Sequence, residues 1–485
     1  MNIRSAAFAA GRWTLVSTLL RALFQLAQTM LLARLLDPSD FGLMAIAGGV
    51  IAVSSVFANL GMNSALMHFP LPSRAVLSTL YWLNIFVSIV LAAALSLSAV
   101  LVSWVYDQPD LMPLLMVASA MFPLSALGQQ FIVLCEKQLR FADLSMIESV
   151  AALGGFITAI LCALSGAGAY TFVAGTLVVA MLSSALSWYW LANDFRPSRH
   201  FAWREALPFL RFGAFQLGDT VCNSLRMQID IFVGAYFAPA SAMGFYSITR
   251  DLCLRLGGTV VNPAITRVGL PVMAMMQGDR RALKEVYLQT VQLTASLNLP
   301  LYALLIVYAD ETVEVILGEQ WIDAGLYMRI FAAWGLLRSI GSPVGSLLYA
   351  TGAVRLSFWW NVALLLGVPS VLLLSASWFQ LPGLAWAMLG IQAFVFVPAW
   401  RVLVLPVCGA GFLEYCRQLM APFLATSMAV AFAALIGNWF DGALTRLLVV
   451  TLTMAIAYGL ASYWVNRRWL VTALELSRPL WKRRQ

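Results

Sequence analysis

The stretch SRAVLSTLYWLNIFVSIVLAAALSLSAVLVSWVYDQPD, Ser73 to Asp110, carries Arg74 at its start, Asp107 and Asp110 at its end, and no charge between. The apolar run within it, residues 77 to 103, exceeds the roughly 20 residues a helix needs to cross about 30 Å of hydrocarbon. Lys and Arg collect on the cytoplasmic side of a membrane, so the Arg74 end reads as inside and the Asp107 end as outside.

Working outward, the same pattern repeats along the chain. Apolar stretches cover residues 9 to 33, 41 to 66, 77 to 103, 113 to 135, 145 to 164, 170 to 192, 208 to 236, 242 to 270, 286 to 308, 324 to 349, 354 to 375, 383 to 405, 420 to 438 and 446 to 465. The connections on the Arg74 side hold Arg4, Arg74, Lys137, Arg140, Arg196, Arg199, Arg204, Arg280, Arg281, Lys284, Arg355, Arg417, Arg467, Arg468, Arg478, Lys482, Arg483 and Arg484. The other set holds only Arg34 and Arg446, with Asp107, Asp110, Asp310, Glu311, Glu314, Glu319 and Asp323. A miscounted span would scramble that alternation. The reading is therefore an all-α polytopic membrane protein of about fourteen transmembrane helices, with N and C termini cytoplasmic.

Composition agrees: 61% hydrophobic residues, 11% charged and a mean hydropathy of +0.83 exclude a soluble globular chain of 485 residues. The net charge of +8 is assigned to the inside surface facing anionic lipids rather than to nucleic acid. The six cysteines form no CxxC pair and there are two histidines, so neither a disulfide framework nor a metal site is expected. No GxxxxGK[ST] loop is present, and no cofactor is called for.

Offsetting the chain by roughly 200 residues aligns ARLLDPSDFGLM, from Ala33, with AYFAPASAMGFY, from Ala235. The acidic loops YDQPDLM, from Tyr106, and LGEQWIDAG, from Leu317, pair in the same way. Six helices per half is an even number, so the halves share one orientation and form two lobes related by internal duplication around a central cavity. The expected organisation is an N-terminal lobe (1–192), a cytoplasmic linker (193–207), a C-terminal lobe (208–405), an appended pair, helices 13 and 14 (406–465), and a basic tail (466–485) read as an interfacial amphipathic helix.

Ten arginines fall within the spans. Arg12, Arg211, Arg267, Arg329 and Arg401 lie near enough to helix ends to snorkel. Arg21, Arg226, Arg255 and Arg338 are more central, with Arg250 between the two groups. Four central arginines facing lipid would cost roughly 10 to 14 kcal/mol, a cost that a wet cavity removes. Helical spacing puts Arg21 and Gln25 on one face of helix one. It does the same for Asp219, Asn223, Arg226 and Asp230 on helix seven, and for Asp251, Arg255 and Asn262 on helix eight. The expected substrate site is a cationic lumen of Arg21, Gln25, Asn223, Arg226, Arg250, Arg255, Asn262 and Arg338. Asp219, Asp230 and Asp251 are either ion-coupling groups or counter-charges, through the pairs Asp219 with Arg226, Asp230 with Arg250 and Asp251 with Arg255. Gly257 and Gly258 in helix eight, and Gly341, Pro343 and Gly345 in helix ten, read as bending points or as close-packing positions.

The segments ARLLDPSDFGLMAIAG (Ala33–Gly48), FANLGMNSA (Phe57–Ala65), EKQLRF (Glu136–Phe141) and LGEQW (Leu317–Trp321) resemble the polysaccharide-transporter family, oligosaccharide flippases of the multidrug/oligosaccharidyl-lipid/polysaccharide exporter superfamily. The resemblance implies a cargo of undecaprenyl-pyrophosphate-linked oligosaccharide repeat units, moved from the inner to the outer leaflet of a bacterial inner (cytoplasmic) membrane by alternating access. It also implies coupling to a cation such as proton or sodium, and work alongside other polysaccharide assembly proteins. The family has no short catalytic motif to carry over. Two other readings share the fold. A multidrug or cation antiporter should show acids dominating its cavity, and a lipid-linked peptidoglycan precursor flippase is kept open by the appended pair. A membrane glycosyltransferase or polymerase would need a large outside loop, whereas the longest here runs from Ala309 to Asp323. No enzyme activity is expected.

Overall fold

In a computed structural model, the structure describes residues 23–58, 62, 65, 66, 69–138, 140–192, 195–198 and 201–466. Arg21 and the basic tail beyond Asn466 lie outside them.

With no water in the hydrocarbon layer to satisfy backbone groups, a spanning chain must bond internally, and every regular element among the described residues is helical. The helices are α1 (residues 23–35), α2 (Pro38–Ala58), α3 (Arg74–Val105), α4 (Leu111–Ser119), α5 (Met121–Lys137), α6 (Phe141–Leu164), α7 (Tyr170–Leu191) and α8 (Trp203–Phe237). They continue with α9 (Ala240–Arg255), a π turn (Leu256–Val261), α10 (Asn262–Met275), α11 (Arg280–Val307), α12 (Ala309–Ile316), a 3₁₀ turn (Glu319–Ala324) and α13 (Gly325–Ala350). The last are α14 (Val354–Ala399), a second π turn (Trp400–Val404), α15 (Leu405–Cys408), α16 (Phe412–Gly437) and α17 (Ala443–Val465). Gln380, at φ 53° and ψ −145°, breaks α14 into two helices two residues before Pro382.

Among the described residues, nine helices are long and apolar enough to cross a membrane, so the chain is a multi-pass membrane protein. The long helices α8, α9 with α10, and α13 fall outside that group. These are the helices that carry Arg226, Arg250, Arg255 and Arg338, and their polarity is the reason. At Gly341, Pro343 and Gly345, read as bending points or close-packing positions, α13 continues without a change of helix type. The break in regular α-structure lies instead at Gly257 and Gly258.

The described residues divide into two compact units, one up to Ser247 with Leu364–Pro369, the other made of the rest. In the first unit, α3 begins with Ser73, whose hydroxyl accepts from the Val76 amide at 3.4 Å. A buried cluster in this unit gathers Tyr81, Phe131, Ile147 and Phe195 around α3, α5 and α6. The EKQLRF segment closes one end of this cluster: the Lys137 ammonium donates to the carbonyls of Leu66 and Phe69, and Arg140 pairs with Asp143 at 2.7 Å.

The two segments that the sequence aligns as equivalents meet face to face in this unit. A Cβ on Gly42 would overlap the Ala240 carbonyl, and a Cβ on Gly244 would overlap the Pro38 carbonyl. Each glycine thus admits the start of the other's helix.

In the second unit, Asp279 caps α11 by accepting from the amides of Arg281 and Ala282 at 2.9 and 3.2 Å. The LGEQW segment turns on Gly318, at φ 110°, and buries Trp321 completely. The appended pair is fixed to this unit at both ends. Lys284 pairs with Glu414 at 2.8 Å, and Arg446 pairs with Glu311 at 3.1 Å. The buried Tyr458 hydroxyl donates to the Ser296 carbonyl at 2.7 Å, and Asn466 bridges Ser296 and Gln292 at 2.8 Å each.

Candidate functional site

In the first unit the expected site residues lie on α1 and α8. Gln25 is exposed on α1, and Arg21 lies outside the described residues. On α8, Asn223 and Arg226 are one helical turn apart and meet: an Arg226 Nη donates to the Asn223 carbonyl oxygen at 3.2 Å. Arg226 is half-buried, and its buried Nε has no hydrogen-bond partner among the described residues. A guanidinium held by one amide, with another N–H withdrawn from water and unmatched, is prepared to accept an anion. Asp219 lies on the same helix; its side chain is outside what the structure describes.

Asp230 is fully buried and accepts from the Tyr246 hydroxyl at 3.2 Å. Tyr246 is itself 0% exposed. This carboxylate is integrated in packing rather than presented to an aqueous path. Tyr246→Phe should lower stability by about 1.5 kcal/mol, the worth of a hydrogen bond to a charged group, read as an earlier thermal unfolding midpoint in detergent. An unchanged midpoint would show that the bond contributes nothing net.

In the second unit, Arg250 is 4% exposed and pairs with the exposed Asp251 at 3.2 Å. Helical spacing pointed Asp251 to Arg255, but its carboxylate is taken by its immediate neighbour. Arg255 is half-buried in the last turn of α9. Arg338 is half-buried on α13, with its guanidinium carbon 5.6 Å from the centre of the Trp334 ring, a cation–π arrangement. Asn262 opens α10 just after the π turn, and its carbonyl oxygen accepts from Asn298 at 3.1 Å.

Several residues of this polar region were not legible from periodicity. Asn298 and Tyr302 on α11, and Ser339 on α13, are all buried. The Tyr302 hydroxyl donates to the Cys253 carbonyl at 2.7 Å, accepts from the Gly257 amide at 3.1 Å and lies 3.4 Å from the Ser339 hydroxyl. An asparagine, a tyrosine and a serine on separate apolar helices make no periodic pattern, so only their convergence in space identifies them. Among the described residues, no cluster of His, Cys, Asp or Glu could hold a metal ion.

Similarity to known proteins follows the same lines. The family model described as "Polysaccharide biosynthesis protein" matches residues 31–325. The chain is 30% identical over 427 residues to the lipopolysaccharide biosynthesis protein WzxC of Escherichia coli (strain K12), spanning 87% of this chain and 86% of that protein. It is 27% identical over 426 residues to the teichuronic acid biosynthesis protein TuaB of Bacillus subtilis (strain 168), spanning 88% of each. Among solved structures, the lipid II flippase MurJ in an inward closed conformation superposes with a TM-score of 0.72 at 14% identity, covering 94% of this chain and 99% of that one. An inward-facing multidrug resistance transporter of the MATE family follows with a TM-score of 0.58, covering 84% and 95%. These structures share the fold at low identity, whereas the matched family model spans more than half the chain and includes the DPSDFG, EKQLRF and LGEQW segments. By that match, the chain belongs to the polysaccharide biosynthesis protein family.

Proposed function

We propose that this protein is a flippase that moves undecaprenyl-pyrophosphate-linked oligosaccharide repeat units from the inner to the outer leaflet of the bacterial cytoplasmic membrane, for exopolysaccharide, capsule or O-antigen assembly. It is a transporter and not an enzyme. The observation that carries the reading is Arg226, a half-buried guanidinium with an unmatched buried N–H on a helix that would otherwise be a membrane span. Arg255 and Arg338 add cationic character on two further helices. Two of the acids are occupied close at hand, Asp230 by Tyr246 and Asp251 by Arg250. A lumen of that charge suits a pyrophosphate, which arginine recognises through paired N–H groups, while the lipid tail stays in the bilayer.

On this reading the six-helix lobes (1–192 and 208–405) rock about the linker 193–207. The appended helices move with the second lobe, to which Lys284–Glu414 and Arg446–Glu311 bind them. A proton or sodium ion at one of the acids biases the return. The names of the relatives, a lipopolysaccharide and a teichuronic acid biosynthesis protein, support an anionic or lipid-linked glycan cargo over a drug cation.

The test is reconstitution into liposomes with a fluorescent undecaprenyl-pyrophosphate oligosaccharide, following exposure of the label to an outside quencher under an imposed ion gradient. Wild type should raise the exposure rate at least tenfold above protein-free vesicles. The same rate in both, with efflux of a cationic dye observed instead, would replace this reading with the antiporter. Transport only of a lipid-linked peptidoglycan precursor would replace the cargo.

A further inference from the structure

The helix that carries Arg250, Arg255 and Asn262 passes from α to π geometry at one turn, and the hydroxyl of a side chain from another helix bonds two backbone groups there. In an α-helix the Gly257 amide would donate to the Cys253 carbonyl four residues earlier. Here the Tyr302 hydroxyl stands between them, accepting from Gly257 at 3.1 Å and donating to Cys253 at 2.7 Å. Immediately beyond, the backbone follows π geometry over Leu256–Val261, and the Asn262 amide donates to the Gly257 carbonyl five residues back. Pro263, which lacks an N–H and crowds the carbonyl four residues before it, favours a widened turn at the same place.

The site is shaped for that hydroxyl. Tyr302 is 1% exposed and Cys253 is fully buried, so neither backbone group has water as an alternative partner. A Cβ on Gly257 would overlap the Ser339 hydroxyl and come to 2.7 Å from the Tyr302 oxygen. Only glycine leaves the space in which the tyrosine tip sits. On the far side of the turn, Asn298 holds the Asn262 side chain at 3.1 Å, so both ends of the π segment are anchored to α11.

We propose that Tyr302 is a positioning residue that sets the angular phase between the arginine-bearing α9 and the following α10. With the hydroxyl inserted, the turn stays π. When Tyr302 withdraws, Gly257 bonds directly to Cys253, the turn closes to α, and α10 rotates by about 100° and shifts by about 1.5 Å relative to α9. Asn262 then leaves Asn298 and changes its bearing relative to Arg250 and Arg255. π turns of this kind concentrate at functional sites. As a means of coupling substrate binding to helix movement, the proposal rests on the flippase reading above; as a statement about helix register it does not.

The test measures the register directly. Spin labels are placed on Met275 of α10 and Gln289 of α11, both exposed, in the full-length protein with its native cysteines replaced, and their distance distribution is recorded by double electron–electron resonance. Tyr302→Phe keeps the ring and removes only the hydroxyl, so the buried Cys253 carbonyl and Gly257 amide can satisfy each other only in the α register. The main distance should move by up to about 8 Å, the chord swept by a turn of about 100° on a helix of about 5 to 6 Å side-chain radius. Gly257→Ala expels the hydroxyl by a separate route and should give the same shifted distribution. If either purified, folded variant superposes on wild type, Tyr302 does not set the phase and the proposal is overturned. Failure of wild type to flip lipid-linked oligosaccharide would remove the flippase reading and leave this distance test intact.

Discussion

Gly42→Leu and Gly244→Leu should each destabilise the protein by about 3 kcal/mol or more, the upper range for overpacking a close contact. The reason is the nature of the obstacle. A Cβ at Gly42 meets the Ala240 carbonyl, and a Cβ at Gly244 meets the Pro38 carbonyl. These are backbone atoms at helix starts, and neither can rotate away as a side chain would. The double variant should cost little more than either single one, because once the two helix starts are separated the second leucine meets no further obstacle; coupled sites of this kind depart from additivity by 0.5 to about 3 kcal/mol. Gly48 serves as the control on the same helix. A Cβ there has nothing within 4 Å, and Gly48→Ala should be neutral or stabilising by about 0.5 kcal/mol through helix propensity. Thermal unfolding of the purified variants in detergent measures all four. Strict additivity of the two leucines would mean that the glycines do not share one crossing.

Much of this crossing was visible in the linear chain, but not its meaning. Comparing Ala33 onward with Ala235 onward revealed the matched Pro and Gly positions, of which Pro38, Gly42 and Gly244 form the crossing together with Ala240. What no alignment of one half with the other can report is that equivalent segments touch, since duplication specifies likeness and not contact. The helices themselves were legible because length and charge alternation are enforced by the bilayer, independent of tertiary detail. The motifs EKQLRF and LGEQW were legible as resemblance and as a basic and an acidic connection between spans. Their roles, Lys137 closing the Leu66 and Phe69 carbonyls and Trp321 filling a buried site behind Gly318, depend on long-range packing.

The candidate site divides in the same way. Arginines in apolar stretches stand out because they are costly there, so Arg226, Arg255 and Arg338 could be named from composition. Their partners could not. Spacing of four along a helix matched Asp251 with Arg255, but the ion pair joins Asp251 to Arg250. Glycine and proline content pointed equally to the junction of α9 with α10 and to α13 as bending places, and of the two only the junction departs from α geometry. The deciding group is the Tyr302 hydroxyl, delivered from a helix 45 residues away in sequence. A single tyrosine in an apolar run carries no periodic mark.

Arg226→Ala should reduce lipid-linked oligosaccharide transport at least tenfold at equal insertion, with little change in thermal unfolding. The two halves of that expectation come from different observations. The Arg226 guanidinium donates to Asn223 at 3.2 Å and leaves a buried N–H unmatched among the described residues. Removing it takes away a desolvated donor that packing does not use, so the folded state loses little. A pyrophosphate that uses that donor loses a charge-assisted bond worth roughly 1.5 to 3 kcal/mol, which is about ten- to a hundredfold in binding. Arg226→Lys separates charge from geometry. It keeps the cation but presents a point charge in place of the planar fork, and transport should recover only in part. Asn223→Ala should fall between lysine and wild type, since the fork remains but its orientation is no longer fixed by the amide. Full activity in both the alanine and lysine variants would make Arg226 a packing residue, and would move the anion site to Arg255 and Arg338. A large fall in unfolding temperature for Arg226→Ala would instead show that the unmatched N–H serves the fold.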